Sequence, residues 1–351
     1  MKILSIVGAR PQFIKAAQVS NKIRKNNTEI LIHTGQHYDE NMSDIFFNQL
    51  DIPKPDFNLE IGSAKHGVQT AKMLRKIEKY ILEIKPDFVL VYGDTNSTLA
   101  GSLAASKQLY PVIHIEAGLR SYNKDMPEEI NRIITDHIAE LLFCPTRNAV
   151  NNLNKEGIKE GVEFVGDVMY DAVINNIKIA NKQSNILKKL ELRKEKYFLA
   201  TVHRAENTNK KSNLKNIVDA FNQVNIKIVI PLHPRTKKYM KKFDLNFKEN
   251  VIVVEPVSYL DMLKLEDNAK KILTDSGGIQ KEAYFLKTPC ITLRDNTEWV
   301  ETIKNGWNII VGNDKHKIIR ALSKRTPINY DSKIFGNGKA SDKIVNYIED
   351  L

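Results

Sequence analysis

The chain has 351 residues, more than one hydrophobic core usually fills, so two domains are expected. Hydrophobic residues make up 42% and charged residues 27% of the chain, which is the composition of a globular protein and excludes a disordered one. The formal net charge of +11 suits three kinds of anionic partner: nucleic acid, a membrane surface, or a phosphorylated small molecule.

Three further features of the sequence bear on the partner and the compartment of the protein. Runs such as 237–242 contain few aromatic residues, so they fit solvated helix faces better than a nucleic-acid surface. Cys144 and Cys290 stand far apart without metal-type spacing, which favours a reducing cytoplasm over a disulfide framework. No apolar run approaches the roughly 20 residues of a membrane span, so we expect a soluble protein whose residues 3–7 form a first strand.

In chain order, short apolar runs alternate with amphipathic stretches. The first half predicts the strand and helix pairs 3–7 and 13–25, 29–34 and 42–50, 88–92 and 95–109, and 112–116 and 128–141. Nearly continuous Val, Ile and Leu in the strands is typical of a parallel sheet that helices cover on both faces.

The same alternation restarts after a polar, Lys- and Asn-rich passage at 174–196. The second set of predicted strands is 198–202, 227–231, 251–254, 271–274 and 290–293. We therefore expect an α/β fold of two Rossmann-like, doubly wound domains, with residues 1–168 in the first, 169–339 in the second, and a helix at about 340–351 that packs back on the first. We expect the two domains to face one another, so that the carboxyl ends of both sheets border a central cleft.

A strand that leads through Ser276-Gly277-Gly278 into a helix predicts a phosphate site. Glycine lets the backbone approach an anion closely, and a helix N-terminus offers unpaired N–H donors. Glu282 follows one turn later, where its carboxylate can reach sugar hydroxyls. A serine that merely caps the helix is the alternative interpretation of this turn.

Acidic residues at the predicted strand ends favour proton chemistry. The chain has neither the dinucleotide-binding glycine motif nor a P-loop, which argues against hydride transfer and ATP hydrolysis. Asp94, Glu116 and Glu128 follow or flank consecutive strands, so they can converge and act as acid and base. Alternatively, Asp94 is a helix cap, and Glu128 with Glu129 is a carboxylate pair at a helix start.

Two histidines of the second half each follow a strand and stand near an arginine. His203 precedes Arg204, and His233 is two residues before Arg235, a pattern typical of an anion clamp. A metal site is the rival interpretation. The one H-x-x-x-H, from His33, spans a strand end and a glycine turn rather than a helix, so we expect no metal.

Six ordered motifs occur between the first strand and about residue 312. They are 8–15 (GARPQFIK), 92–95 (YGDT), 114–120 (HIEAGLR), 127–132 (PEEINR), 203–207 (HRAEN) and 274–282 (TDSGGIQKE). Together they resemble the UDP-N-acetylglucosamine 2-epimerase family. The resemblance implies a glycosyltransferase-B-type fold, a homodimer, a UDP-sugar substrate, a role in polysaccharide biosynthesis, and neither metal nor nicotinamide cofactor.

In non-hydrolysing members, UDP is eliminated across carbons 1 and 2 of the sugar to give a 2-acetamidoglucal and is then re-added. The resemblance implies that Asp94, Glu116 and Glu128 are the catalytic acids and bases, with their roles undivided. It also implies catalytic or cationic roles near the diphosphate for Arg10, Lys15 and His203, a phosphate turn at Ser276, Gly277 and Gly278, a ribose contact at Glu282, and uracil contacts at Val257 and Met262. Arg132, Arg204 and His233 complete the expected substrate-binding set.

Three departures from the family pattern bear on the substrate and its regulation. Trp299 replaces an arginine that contacts the nucleotide sugar, and the opening ARPQF of 9–13 is also unusual; both resemble the branch that epimerises UDP-2,3-diacetamido-2,3-dideoxyglucuronate. A uronate needs a cation elsewhere, for which Arg120, Arg204 and Arg294 are candidates. The segment 36–39 (QHYD) departs from the one linked to activation by a second UDP-N-acetylglucosamine.

Several functions therefore stay open at the level of sequence. Conversion of UDP-N-acetylglucosamine to UDP-N-acetylmannosamine leads, and the uronate epimerase is an alternative. A hydrolysing relative would release UDP and free N-acetylmannosamine. A non-catalytic nucleotide-sugar or nucleic-acid-binding protein is the alternative of another class, although three acids beside an anion would weaken binding. A glycosyltransferase would need an acceptor-binding segment, which we do not find.

Overall fold

The structure is a computed structural model that describes residues 1–36, 47 and 50–351. Within this part the chain divides into two compact units, Met1–Ala172 with Ser332–Leu351, and Val173–Asp331. Most of the predicted helix at 42–50, and His37 with the rest of the 36–39 segment after Gln36, lie outside the described residues.

The first unit is built on one parallel sheet. In chain order its strands are β1 (Lys2–Val7), β2 (Thr28–His33), β3 (Phe57–Asn58), β4 (Phe88–Tyr92), β5 (Val112–Ile115), β6 (Leu141–Cys144) and β7 (Val162–Phe164). They lie in the order β3-β2-β1-β4-β5-β6-β7. Its described helices are α1 (Arg10–Asn26), α2 (His66–Ile84), α3 (Asn96–Lys107), α4 (Pro127–Ile138) and α5 (Arg147–Lys155), followed by α6 (Val168–Gln183), in which the two units meet.

The second unit has its own parallel sheet. Its strands are β8 (Tyr197–Thr201), β9 (Lys227–Pro231), β10 (Val251–Val254), β11 (Lys271–Thr274), β12 (Cys290–Thr292) and β13 (Asn308–Ile310), in the order β10-β9-β8-β11-β12-β13. Its helices are α7 (Ile186–Lys189), α8 (Ala205–Thr208), α9 (Lys211–Asn222), α10 (Pro234–Phe243), α11 (Tyr259–Asn268), α12 (Gly277–Phe285) and α13 (Lys315–Ser323), with a 3-10 helix at Val300–Gly306.

The last helix, α14 (Ala340–Glu349), belongs to the first unit and packs against α1. The buried carboxylate of Asp171 accepts hydrogen bonds from the backbone N–H groups of Ala340, at 3.1 Å, and Ser341, at 2.8 Å. These are N–H groups at the start of the helix, which have no partner within it. An ion pair between Lys22 and Asp342, at 2.6 Å, adds a second contact with α1.

The expected α/β class with two parallel sheets is confirmed, and each of the five strands predicted for the second half is present. The helix predicted at 128–141 is wrong at its end: α4 stops at Ile138, and Leu141 begins β6. The passage at 174–196 contains most of α6 and all of α7. No helix within the described ranges is long and apolar enough to cross a membrane.

Both sheets contain a point at which the strand order reverses. In the first sheet β1 and β4 are neighbours, and in the second β8 and β11 are neighbours, although neither pair is consecutive in the chain. Loops that leave such strands diverge to opposite faces of the sheet, and the crevice between them is where doubly wound sheets bind ligands. Several predicted site residues follow these four strands, namely Arg10, Asp94, His203 and Ser276, whereas Glu116 follows β5 and His233 follows β9.

Candidate active site

At the reversal point of the first unit, a buried glutamine connects two strand ends. The Oε1 atom of Gln12 accepts hydrogen bonds from the backbone N–H groups of Gly8 (2.8 Å) and Ala9 (3.0 Å). Its Nε2 atom donates to the carbonyl of Tyr92 (2.6 Å) and to Thr98 Oγ1 (3.0 Å). The end of β1 is thus held against the end of β4. Gln12 lies in the first motif, but the sequence did not predict this role.

Glu116 follows β5 and forms an ion pair with Lys15 of α1. The two side chains are only 9% and 11% exposed. Glu116 has a backbone φ of 74°, a conformation that costs a residue with a Cβ about 1–3 kcal/mol and that clusters at functional sites. A Cβ placed on Gly93 would lie 3.1 Å from Glu116 Oε2, so a glycine here leaves room for this carboxylate.

Asp94 follows Gly93 at the end of β4 and forms an ion pair with Arg132 of α4. The Asp94 side chain remains 29% exposed, whereas Arg132 is buried and also contacts Glu129, at 3.0 Å. Asn131 donates a hydrogen bond to the carbonyl of Asp94, at 3.0 Å, which fixes the strand end to α4. Arg132, expected to bind substrate, therefore lies between two carboxylates of the protein.

The two neighbouring glutamates of α4 differ in their surroundings. Glu129 is fully buried and accepts hydrogen bonds from Ser121 N and Oγ and from Tyr122 N, so it anchors the segment that leads into the helix. Glu128, in the same first turn, is partly exposed, and we find no hydrogen bond to its carboxylate within the described part of the chain. Arg10, at the start of α1, is also partly exposed.

In the second unit the buried carboxylate of Asp275 organises the strand ends. It accepts hydrogen bonds from the backbone N–H groups of His203, at 3.0 Å, and Arg204, at 2.9 Å, and from the Asn207 side chain, at 3.1 Å. This links the end of β8 to the end of β11. The sequence motif contained Asp275, but its role as the acceptor for the loop after β8 was not predicted.

His203 and His233 are brought together, with ring centroids 5.4 Å apart. Nδ1 of His203 lies 3.3 Å from Asp275 Oδ1, and the side chain is 36% exposed. Burial lowers the pKa of His203, and although Asp275 raises it, the charges of Arg204 and Arg235 lower it further. His203 is thus neutral near pH 7. The described residues contain no group of three His, Cys, Asp or Glu side chains arranged to hold a metal.

The turn at Ser276 begins α12. Among the described contacts the Ser276 side chain caps no N–H of the helix, contrary to the capping alternative. A Cβ on Gly277 would lie 2.2 Å from Glu298 Oε1 and would have to displace that side chain, while a Cβ on Gly278 would meet nothing closer than 3.9 Å. An anion can thus approach the backbone of this helix start closely at Gly278, beside the Glu298 carboxylate.

Behind that helix start lie two buried carboxyl groups. Glu282 is 5% exposed and Glu266 is fully buried. Burial, and then the charge of Glu282, raise the pKa of Glu266 well above its usual range, so Glu266 is a neutral acid. The sequence did not single out Glu266. Val257 and Met262 are partly buried and pack against the core of the second unit.

Trp299 is 4% exposed, and Lys281 places its ammonium 3.9 Å from the centroid of the indole ring. The sequence did not predict this cation–π contact. Two candidate arginines have protein partners: Arg120 is bonded to Asp136 and Glu156, and Arg294 to Glu298. Both are buried against carboxylates of this chain, and their expected contact with a substrate carboxylate stays a prediction.

Comparison with known proteins extends over the whole chain. The family model of UDP-N-acetylglucosamine 2-epimerase matches residues 21–349. A "UDP-N-acetylglucosamine 2-epimerase homolog" of Methanococcus maripaludis is 57% identical, and the UDP-2,3-diacetamido-2,3-dideoxy-D-glucuronate 2-epimerase of Pseudomonas aeruginosa is 49% identical; both alignments cover 100% of each chain.

Similar solved structures include members of the same family. The crystal structure of Methanocaldococcus jannaschii UDP-GlcNAc 2-epimerase in complex with UDP-GlcNAc and UDP has a TM-score of 0.92, with 48% identity and 100% coverage of both chains. A calicheamicin glycosyltransferase, at 12% identity and a TM-score of 0.57, shares the fold alone. From the match over residues 21–349 and the identity along its full length, the chain belongs to the UDP-N-acetylglucosamine 2-epimerase family.

Proposed function

We propose that this protein inverts carbon 2 of UDP-N-acetylglucosamine to give UDP-N-acetylmannosamine. Family membership and the 57% identical homolog support the activity. The structural observation that carries it is the pair of carboxylate–cation contacts beside Gly93, namely Glu116 with Lys15 and Asp94 with Arg132. Such groups are what removal of an unactivated proton requires.

The carboxylates of the first unit supply the proton chemistry. One of them takes the proton from carbon 2, the C–H electron pair forms the double bond of a 2-acetamidoglucal, and UDP leaves carbon 1 with the C–O electron pair. Return of a proton to the opposite face and re-addition of UDP give the epimer. Glu116 and Asp94 are each held at a strand end by a cation, Lys15 and Arg132, and we assign the base to this pair. Glu128 has no such partner among the described residues, and we assign it the acid.

The second unit holds the leaving group. The N-terminus of α12, with Ser276, Gly277 and Gly278, receives the diphosphate through backbone N–H groups and the helix dipole. His203, fixed by Asp275, donates a further hydrogen bond. A diphosphate leaves more readily when preorganised donors stabilise its developing charge. In this scheme Arg204 adds positive charge, and His233, whose Nδ1 accepts a hydrogen bond from Arg235 N, donates through Nε2. Glu282 binds the ribose, and the segment from Val257 to Met262 holds the uracil.

Lys281 supports the choice of the N-acetylglucosamine substrate. Its ammonium occupies the surroundings of Trp299, where other family members have an arginine, so we infer that it replaces the missing charge. Lys281→Met is expected to raise KM for the UDP-sugar about tenfold, the scale of one charge-assisted hydrogen bond, and Lys281→Arg is the matched control. An unchanged KM in Lys281→Met would remove Lys281 from the binding set.

Deuterium incorporation tests the reaction. The purified protein is incubated with UDP-N-acetylglucosamine in deuterated water, and the products are followed by NMR. We expect deuterium at carbon 2 of both UDP-sugars, with UDP attached. Free N-acetylmannosamine and UDP as the final products would instead establish a hydrolysing enzyme. A parallel reaction with UDP-2,3-diacetamido-2,3-dideoxyglucuronate that is more than about a hundredfold faster in kcat/KM would overturn the substrate.

Two further properties are part of the proposal. We place the enzyme in the cytoplasm, supported by the two cysteines, Cys144 and Cys290, which stand far apart and do not form the pattern of a disulfide framework. We also propose a homodimer, on the strength of the family resemblance. Multi-angle light scattering decides between a monomer mass of 40.1 kDa and twice that value.

A further inference from the structure

A fully buried histidine lies directly beneath the carboxylates of the first unit. His114, in β5, has 0% exposure. Its Nε2 atom is 2.7 Å from the backbone carbonyl oxygen of Gly93, and its Nδ1 atom is 2.7 Å from Asp136 Oδ1. A carbonyl oxygen can only accept a hydrogen bond, so Nε2 must carry a proton. The state of Nδ1 then depends on whether Asp136 is ionised.

Asp136 is held in its ionised form by donors on its other oxygen. Oδ2 accepts hydrogen bonds from Gly118 N, at 3.1 Å, and from Arg120 Nη1, at 2.6 Å. Arg120 is a permanent cation and contacts this oxygen at 2.6 Å, which favours the carboxylate whatever the state of His114. With an anion on one side and a carbonyl on the other, both nitrogens of His114 face acceptors.

The charges around the His114 ring also favour a positively charged imidazole. Arg120 is shared by two carboxylates, since it also donates two 2.7 Å hydrogen bonds to Glu156. One guanidinium between two carboxylates leaves a net charge of −1, which is costly where Asp136 is fully buried. A positive His114 neutralises the network. His137 lies at the surface end of this network, 3.3 Å from Glu156 and 47% exposed. The nearby Cys144 thiol adds no charge, because burial raises its pKa.

We propose that His114 is a buried imidazolium that positions the turn at Gly93 and Asp94 for the proposed reaction. The Gly93 carbonyl is fixed by His114, the next residue is Asp94, and the Gly93 Cα faces the ion pair of Glu116 and Lys15. A neutral ring could keep only one of its two hydrogen bonds, either to Gly93 or to Asp136. His114 is thus a positioning residue. Only its effect on turnover rests on the proposed function.

The first test needs no activity. Long-range ¹H–¹⁵N correlation spectra of the ¹⁵N-histidine-labelled protein distinguish an imidazolium, whose two ring nitrogens have nearly equal shifts, from either neutral tautomer. We expect one of the eight histidines to give the imidazolium pattern at neutral pH. Its absence from the spectrum of His114→Gln assigns it. A neutral pattern for His114 at neutral pH would overturn the proposal, whatever the enzyme assay shows.

The second test asks for the catalytic consequence. His114→Gln retains one donor and one acceptor but not two donors and a charge, so we expect kcat to fall about 10- to 100-fold from a displaced Asp94, with KM and UDP affinity unchanged. His316→Gln, an exposed histidine of α13, is the matched control. A wild-type kcat in a folded His114→Gln would also overturn the positioning role. If His114→Gln does not fold, the wild-type spectra still decide the protonation state.

Discussion

At the level of single residues, the three carboxylates of the first unit are not equivalent. Glu116 carries a strained backbone and is paired with a lysine, and Asp94 is paired with a buried arginine. Glu128 lies in the first turn of α4, partly exposed and without a cationic partner among the described residues. A site that moves a proton from one face of a carbon to the other needs groups of different character, which these surroundings provide.

We expect Asp94→Asn, Glu116→Gln and Glu128→Gln each to lower kcat about a hundredfold or more, because each amide can neither take up nor release the proton. UDP affinity, measured by calorimetry, is expected to stay within about threefold of the wild type, since the nucleotide is assigned to the second unit. Glu83→Gln, an exposed glutamate of α2, serves as the control. Wild-type turnover in any of the three variants would remove that residue from the catalytic set.

The lowered pKa of His203 predicts that UDP binding takes up a proton. His203 is neutral near pH 7 in the free protein, and a bound diphosphate favours its charged form and raises its pKa. UDP affinity should therefore rise as pH falls through the raised pKa of the complex and level off below the pKa of the free protein.

Calorimetry in two buffers of different ionisation enthalpy measures the number of protons taken up on UDP binding. His203→Gln should weaken UDP binding and abolish the uptake, whereas His66→Gln in the first unit should leave both unchanged. Proton release on binding, or uptake that persists in His203→Gln, would contradict the assignment of His203 to the diphosphate.

At the level of elements, the two glycines at the start of α12 have different surroundings, so we expect their substitution to have different effects on stability. Gly277→Ala brings a Cβ to 2.2 Å from Glu298 Oε1 and must displace the side chain that pairs with Arg294, so we expect the folded state to lose about 1–3 kcal/mol. Gly278→Ala has space and gains helix propensity, so its stability should rise by about 0.5–1 kcal/mol.

The same pair of variants tests the phosphate site. Gly278→Ala should weaken UDP binding despite its greater stability, because a methyl group at the helix start obstructs the anion. Urea unfolding and calorimetry on both variants are the measurements. A Gly278→Ala protein with unchanged UDP affinity would move the phosphate away from this helix.

Element lengths explain which parts of the fold could be predicted. Five-residue runs such as β4 and β9 were recognised, because continuous Val, Ile and Leu bounded by polar residues is specific for buried strands. Strands β3, β7 and β13, of two or three residues, are too short for any periodicity, whereas the equally short β12 was recognised because its apolar run continues to the buried Leu293. The four residues of β6 continued the apolar pattern of α4, and only tertiary contacts end that helix at Ile138.

The sequence predicts that the candidate site residues lie at strand ends, but not which side chains they contact. Parallel strands deliver their following residues to one edge, so Asp94 and Glu116 could be expected near one another. The cation that each carboxylate contacts depends on how α1 and α4 pack on the sheet. This packing cannot be inferred from local sequence patterns. For that reason Arg132 was assigned to the substrate, although the structure places it against Asp94 and Glu129.

At the level of the whole molecule, each compact unit contains one buried cysteine. Cys144 is in β6 of the first unit, and Cys290 is in β12 of the second. Burial raises the pKa of Cys290 to about 12, and that of Cys144 is raised as well, so neither thiol reacts readily in the folded protein. Labelling of each thiol therefore reports the opening of its own unit.

We predict that UDP protects the two thiols unequally. A ligand that binds only the folded second unit slows the opening of that unit by a factor of 1 + [UDP]/Kd, about a hundredfold at 100 times Kd. Cys290 labelling should slow by this factor, whereas Cys144 labelling should change less than about threefold, because the first unit is assigned the proton chemistry and not the nucleotide. The measurement is mass-spectrometric peptide mapping after timed exposure to a thiol reagent in mild urea, with adenosine diphosphate as the control nucleotide. Stronger protection of Cys144 would contradict the placement of UDP in the second unit, and equal protection of both thiols would show that the units open together as one cooperative body.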